Sequence, residues 1–138
     1  RGSAGAGLCG APNRVAYWAA RAFDTVMGEA LWAELHGEGV DVLALVLGAT
    51  DTPALRKLLA RRGNLASADD ATPIPGAATA AEVVADALAN LKNGPTWFVG
   101  EMLREGARQL GALPRSEAVR MMIQMSSGGV MGTRHSPD

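Results

Sequence analysis

The chain has 138 residues, 48% hydrophobic and 20% charged, with 13 basic residues against 14 acidic ones and a formal net charge of −1. That length suits one domain, which when compact buries roughly two thirds of its unfolded surface. The scattered charge carries no footprint for nucleic acid, and no apolar run approaches the roughly 20 residues that span a bilayer. Cys9 is the only cysteine, and His36 and His135 are far apart, which excludes an intrachain disulfide, leaves a metal site short of ligands and points to a reducing, cytoplasmic setting.

The first eleven residues are rich in Gly and Ala and contain Gly5-Ala6-Gly7-Leu8-Cys9-Gly10, a formal match to the dinucleotide fingerprint G-x-G-x-x-G. That fingerprint works only when a strand delivers the chain to its first glycine and a helix receives the phosphates after its last. Only four residues precede Gly5, and Pro12 closely follows Gly10. The segment therefore reads as a loop.

From Asn13, a suitable N-cap, the spacing predicts a long helix over 13–36. Val15, Ala19, Ala22, Phe23, Val26, Met27, Ala30, Leu31 and Leu35 recur at helical intervals. Trp18 and Trp32 widen the apolar surface beyond that stripe, so the helix is expected to bury more than one face. This implies a partner helix in this chain or another. Tyr17 and Arg21 stand four residues apart on one helix face, where the cation can reach the phenol. A phenol beside a fixed cation is a candidate acid, and the plainer alternative is a surface pair.

Gly37 and Gly39 mark a turn into Val40–Leu47, whose apolar residues do not alternate after Asp41, the pattern of a parallel strand covered on both faces. The loop Gly48-Ala49-Thr50-Asp51-Thr52-Pro53 then leaves the strand's carboxyl end, where open parallel sheets bind ligands. Pro53 can open a helix to about Arg62, ended by Gly63-Asn64.

Residues 64–78 carry Ser67, Asp69, Asp70, Pro73, Pro75 and Gly76 and read as a mobile loop or lid in which the adjacent aspartates have no chemistry. Thr79-Ala80-Ala81-Glu82 is a capping box that starts a helix to about Lys92, with Val83, Val84, Ala87, Leu88 and Leu91 as its buried stripe. Thr96–Val99 is a short strand. Helices follow over 101–110 and 115–125, and 126–138 is expected to fray. The methionines of the last third, Met102, Met121, Met122 and Met125, read as core or oligomer contacts.

This order of a tyrosine-headed helix, a parallel strand and a Gly- and Thr-bearing loop resembles the second half of a short-chain dehydrogenase/reductase. The family's Y-x-x-x-K is matched by Tyr17 and Arg21, and its P-G-x-x-x-T by Leu47-Gly48-Ala49-Thr50-Asp51-Thr52. The flanks Gly7–Pro12, Tyr17–Phe23, Leu31–Leu35, Gly94-Pro95 and Arg115–Met122 also resemble a branch of the family. The resemblance implies an α/β, helix-rich, partial Rossmann-like fold over 1–138, the C-terminal half of a doubly wound parallel sheet without the glycine-rich cofactor loop and early strands.

It further implies an NAD(P)-dependent oxidoreductase interconverting carbonyl and alcohol, with Tyr17 as proton donor, Arg21 as the adjacent cation and Ser3 nearest the family's serine position. Tyr17, Arg21, Gly48, Ala49 and Thr52 would contact NAD or NADP. The chain departs from the pattern at three positions. Arg21 replaces the lysine and aims a planar fork instead of a point charge, Ala4 occupies the serine position, and Leu47 replaces the loop proline. These departures motivate the alternative of a non-catalytic remnant acting as a helix-mediated oligomerisation or interaction module. One long strand and one short one also leave unpaired edges, so another polypeptide is expected to complete the sheet.

Overall fold

A computed structural model describes residues 8–12 and 15–127 of the chain. Among these, α1 (Val15–Leu35) is followed by β1 (Ala44–Val46), β2 (Thr50–Asp51), α2 (Pro53–Arg61), β3 (Ala78–Thr79), α3 (Ala80–Ala89), β4 (Thr96–Phe98), α4 (Glu101–Ala112) and α5 (Arg115–Ser127). The fold is mixed α/β and helix-rich, with two small parallel sheets of two strands each, β1 with β4 and β2 with β3. Ser3, Ala4, Asn13, His135 and the first half of the glycine fingerprint, residues 5–7, lie outside the described residues. Of the tail expected to fray, Ser126 and Ser127 continue α5, and residues 128–138 lie outside the described residues.

Local sequence accounts for most of the boundaries. The chain leaves α1 through a 3-10 turn, His36–Glu38, and Gly39 takes φ 77°, a conformation that a side chain disfavours. Thr52 caps α2 by accepting the Leu55 N–H at 3.2 Å, with Pro53 at the first helical position. The Thr79–Glu82 capping box forms in both directions, with the Thr79 N–H 2.8 Å from Glu82 Oε2 and the Glu82 N–H 3.2 Å from Thr79 Oγ1.

Three expectations about burial need correction. The strand predicted over 40–47 is regular only at Ala44–Val46, and it has one covered face. Val46 is buried and shares a face with Ala44, which packs on α1, whereas Leu45 and Leu47 remain 39% and 37% exposed on the other face. Of the helix predicted over 13–36, Val15–Leu35 forms among the described residues, but the face it packs is the stripe of Trp18, Ala22, Thr25, Gly28, Trp32 and Leu35. Its regular apolar stripe points outward, with Phe23, Val26, Met27 and Leu31 exposed by 65%, 62%, 45% and 39%. In α3 only Val83 of the expected stripe is buried, and Val84 and Leu88 face solvent. The common reason is layer count, because two two-stranded sheets offer too little surface to cover a second face of these elements.

The main core cluster gathers Cys9, Trp18, Leu110, Ala118 and Met122, with Ala11, Leu113, Val119 and Met121 around it. It ties the 8–12 segment to the head of α1, the end of α4 and the middle of α5. The methionines divide accordingly, Met122 filling the core at 2% exposure while Met102 is 85% exposed.

Candidate functional site

Two close approaches fix how α1 lies on the sheet. A β-carbon at Gly28 would come within 2.8 Å of Ala44 Cβ, and one at Gly94, just before β4, would meet the Val42 carbonyl oxygen at 2.8 Å and the Trp32 indole at 3.1 Å. Moving back along the helix from Trp32 to Gly28 thus moves forward along the strand from Val42 to Ala44, so α1 runs antiparallel to β1. Thr96 Oγ1 adds a hydrogen bond to Glu29 Oε1 at 2.7 Å, joining β4 to the same helix.

This register carries Tyr17 and Arg21 to the carboxyl end of β1. Tyr17 lies about 16 Å before Gly28 at the helical rise, and Gly48 lies about 13 Å beyond Ala44 at the strand rise, in the same direction. Tyr17 and Arg21 precede Gly28 by intervals that, at about 100° per residue, bring both within about 20° of its direction. They project on the same side of α1 as Gly28 and remain exposed there.

The local geometry of the pair is more specific than spacing alone conveyed. The Arg21 guanidinium carbon stands over the Tyr17 ring, 5.5 Å from its centroid, and Arg21 also pairs with Asp24 at 3.5 Å. Cation and phenol are brought together, with the charge over the ring face and shared with a carboxylate. Tyr17 is 38% exposed, and among the described residues its hydroxyl has no hydrogen-bond partner. Its ring packs edge-on against Trp18, whose own side chain is buried in the core.

The loop after β1 is held in place through its backbone. Ala78 donates to the Ala49 carbonyl at 2.9 Å, Thr50 pairs with Ala78 and Asp51 with Thr79 in β2–β3, and Thr50 Oγ1 reaches the Gly48 carbonyl at 3.5 Å. Gly48 itself stands in the open, with nothing within 4 Å of the position a β-carbon would take. The Thr52 hydroxyl accepts from Leu55 as a helix cap and keeps its own proton to donate.

Sequence reasoning missed the ionic cluster beneath this loop. Arg56 Nε donates to Asp51 Oδ1 at 2.7 Å, its Nη2 to Asp51 Oδ2 at 2.5 Å and to the Thr72 carbonyl at 3.4 Å, and its Nη1 to the Asp70 carbonyl. The Asp51 hydrogen bond raises the guanidinium above its ordinary value. Asp70 is held below the usual carboxylate range by hydrogen bonds from the Thr72 hydroxyl and N–H and from the Ala66 N–H. The segment over 64–78 is a loop that carries these ties. An acid just before the threonine that caps a proline-opened helix, with an arginine one turn inside it, was the available signal.

A second concavity, of about 500 Å³, lies toward α5 and is lined by Cys9, Ala11, Val15, Trp18, Arg115 and Val119. Arg115 closes one side by donating to the Leu8 carbonyl at 2.5 Å. Among the described residues no group of three or more His, Cys, Asp or Glu side chains could hold a metal ion, and no helix is long and apolar enough to cross a membrane. Compared with known proteins, the chain matches no family model, no curated protein and no solved structure.

Proposed function

We propose that the chain carries the tyrosine side of an NAD(P)-dependent oxidoreductase site of the short-chain dehydrogenase/reductase type, working on a carbonyl or alcohol. On this reading the β1–β4 pair is part of a larger, doubly wound, Rossmann-like parallel sheet. What supports it is the Tyr17–Arg21 pair on α1, a helix packed antiparallel on β1, together with the open Gly48 in the loop that leaves this parallel strand. Loops at such strand ends are where parallel sheets hold ligands.

The residues fit a nicotinamide in part. Gly48 leaves room for close approach, the Ala49 backbone lies beside it, and the Thr52 hydroxyl has a proton to offer a carboxamide. When bound, the cofactor supplies or accepts hydride. Tyr17 would pass a proton from its phenol to the carbonyl oxygen, or take one back in the oxidising direction. Arg21 would set a positive charge beside that phenol while the proton moves. Ser3 completes the proposed catalytic set as the hydroxyl that orients the carbonyl. The unpaired Cys9 suits a cytoplasmic setting.

Nicotinamide fluorescence with NADH and NADPH, followed by reduction of a panel of small carbonyl compounds, tests the reading. Micromolar binding and turnover that Tyr17→Phe abolishes are expected, and failure of both nucleotides to bind would overturn it.

A second reading has its own observation. The outward stripe of α1, Phe23, Val26, Met27 and Leu31, is a continuous apolar surface on a helix already packed on its other side. Such a face supports a homo-oligomer formed through the helix over 13–36, with or without catalysis. Sedimentation as a monomer at all accessible concentrations would exclude it.

A further inference from the structure

Arg56 uses both edges of its guanidinium. One edge grips the Asp51 carboxylate through two hydrogen bonds of 2.7 and 2.5 Å, and the rest reaches across to the carbonyls of Asp70 and Thr72. Its side chain is 18% exposed and that of Asp51 20%, so the grip is largely shielded from solvent. Asp51 belongs to β2, in the loop that leaves β1, whereas Asp70 and Thr72 lie in the middle of the segment over 64–78. One side chain therefore spans two loops that are distant in sequence.

The remaining ties of that segment lead to the same places. Its start is held to α2 by the Asn64 N–H on the Leu59 carbonyl at 2.9 Å, and its end by β3 on β2 and by Ala78 on Ala49. Asp70 folds the middle onto itself by accepting from Thr72 Oγ1 at 2.6 Å, from the Thr72 N–H at 2.9 Å and from the Ala66 N–H at 3.3 Å. This local turn presents the two carbonyls that Arg56 binds. Between its ends, where Leu65 and Ile74 are half-buried, this guanidinium reaches into the middle of the segment from outside it.

We infer that Arg56 is a positioning residue, a latch that fastens the 64–78 segment to the Gly48–Thr52 loop so that the two open and close as one unit. A planar fork with five donors is needed for the task, because a lysine can supply neither the paired bonds to Asp51 nor the simultaneous reach to two carbonyls. The consequence for ligands deepens the proposed nicotinamide site and rests on it. A nucleotide held against Gly48–Thr52 protects the 64–78 segment, and loosening that segment weakens the nucleotide by the same factor, since coupling between sites is reciprocal.

Limited proteolysis decides the matter. Thermolysin, which cuts before apolar residues such as Leu65 and Ala68, is applied to the ligand-free protein and the cuts are located by mass spectrometry. With Arg56→Met, cleavage within 64–78 is expected to rise about tenfold while cleavage in α4 and α5 keeps its rate, because local opening governs the rate of each cut. Arg56→Lys should restore only a small part of the protection. Unchanged cleavage in Arg56→Met, an equal rise along the whole chain, or full protection by lysine would each overturn the latch. Should Arg56→Met fail to fold, Asp51→Asn, which keeps the arginine and weakens one edge, must show the same local acceleration. In a separate arm, NADPH is added to the wild-type protein. Slower cleavage within 64–78 supports the coupling, and binding without such protection refutes it. No binding at all removes the nicotinamide reading while the ligand-free rates still judge the latch.

Discussion

Gly28 and Ala44 approach so closely that a β-carbon on the glycine would stand 2.8 Å from that of the alanine. A glycine in the middle of a helix costs about 1 kcal/mol relative to alanine, so Gly28→Ala would stabilise α1 if the helix stood alone. Here the opposing atom is a β-carbon fixed to a strand, and overpacking of that kind costs about 1–3 kcal/mol. The packing term wins. Gly28→Ala is expected to lower the melting temperature by several degrees, and Gly94→Ala, whose β-carbon would meet the Val42 carbonyl, to do the same. Thermal denaturation followed by circular dichroism checks both, and a rise in either would show that α1 can move off the sheet at little cost.

The paired Tyr17 and Arg21 make a second prediction under the proposed activity. Tyr17→Phe removes the proton and keeps the ring under the guanidinium, so carbonyl reduction should fall by about 10² to 10⁴-fold with little change in stability. Arg21→Lys should retain activity, because a compact ammonium at that position is free to reach the hydroxyl, whereas Arg21→Met should lose it. Steady-state kinetics beside melting curves separate these effects from misfolding.

The outward stripe of α1 yields a third. Phe23→Glu combined with Val26→Glu places two charges on surface that is 65% and 62% exposed in the single chain. A monomer would tolerate them, but an oligomer closed through this face would not, since burying unpaired carboxylates is costly. Wild-type protein is expected to sediment as a dimer or larger species and the double variant as a monomer.

Acid sensitivity is a fourth. Glu82 is held below the usual carboxylate range by the Thr79 N–H and then by the Thr79 hydroxyl, and Asp70 likewise by Thr72 and Ala66. A depressed folded value means that the stability these groups contribute is present above the unfolded value, near 4, and is lost as pH falls through the folded value below it. Melting temperature should therefore fall as pH drops below about 4. Glu82→Gln and Asp70→Asn, which cannot ionise, should each flatten that fall, and a variant with the wild-type slope would show that its carboxylate contributes nothing there.

Much of the local structure was legible in the residues themselves. Thr79 to Glu82 announced a capping box because the hydroxyl and carboxylate act within one turn, and Pro53 and Gly39 marked a start and an exit by backbone restriction alone. Burial was less legible. The regular stripe through Phe23, Val26 and Met27 obeys helical periodicity as well as the stripe that packs, and periodicity does not say which of two apolar faces meets a neighbour. Arg56 was invisible for a different reason. Its partners Asp70 and Thr72 lie fourteen and sixteen residues away, in a segment whose composition advertised only a loop.

By itself, then, the sequence determined the helices, their caps, the turn glycines and the nearness of Tyr17 to Arg21, all of which depend on contacts within a few residues along the chain. Tertiary structure alone decided that α1 lies antiparallel to β1 with Gly28 on Ala44, that β2 pairs with β3, and that the Gly48–Thr52 loop and the 64–78 segment share one arginine. Those relationships join residues far apart in the chain. They exist only once apolar surfaces have packed and set the register between elements.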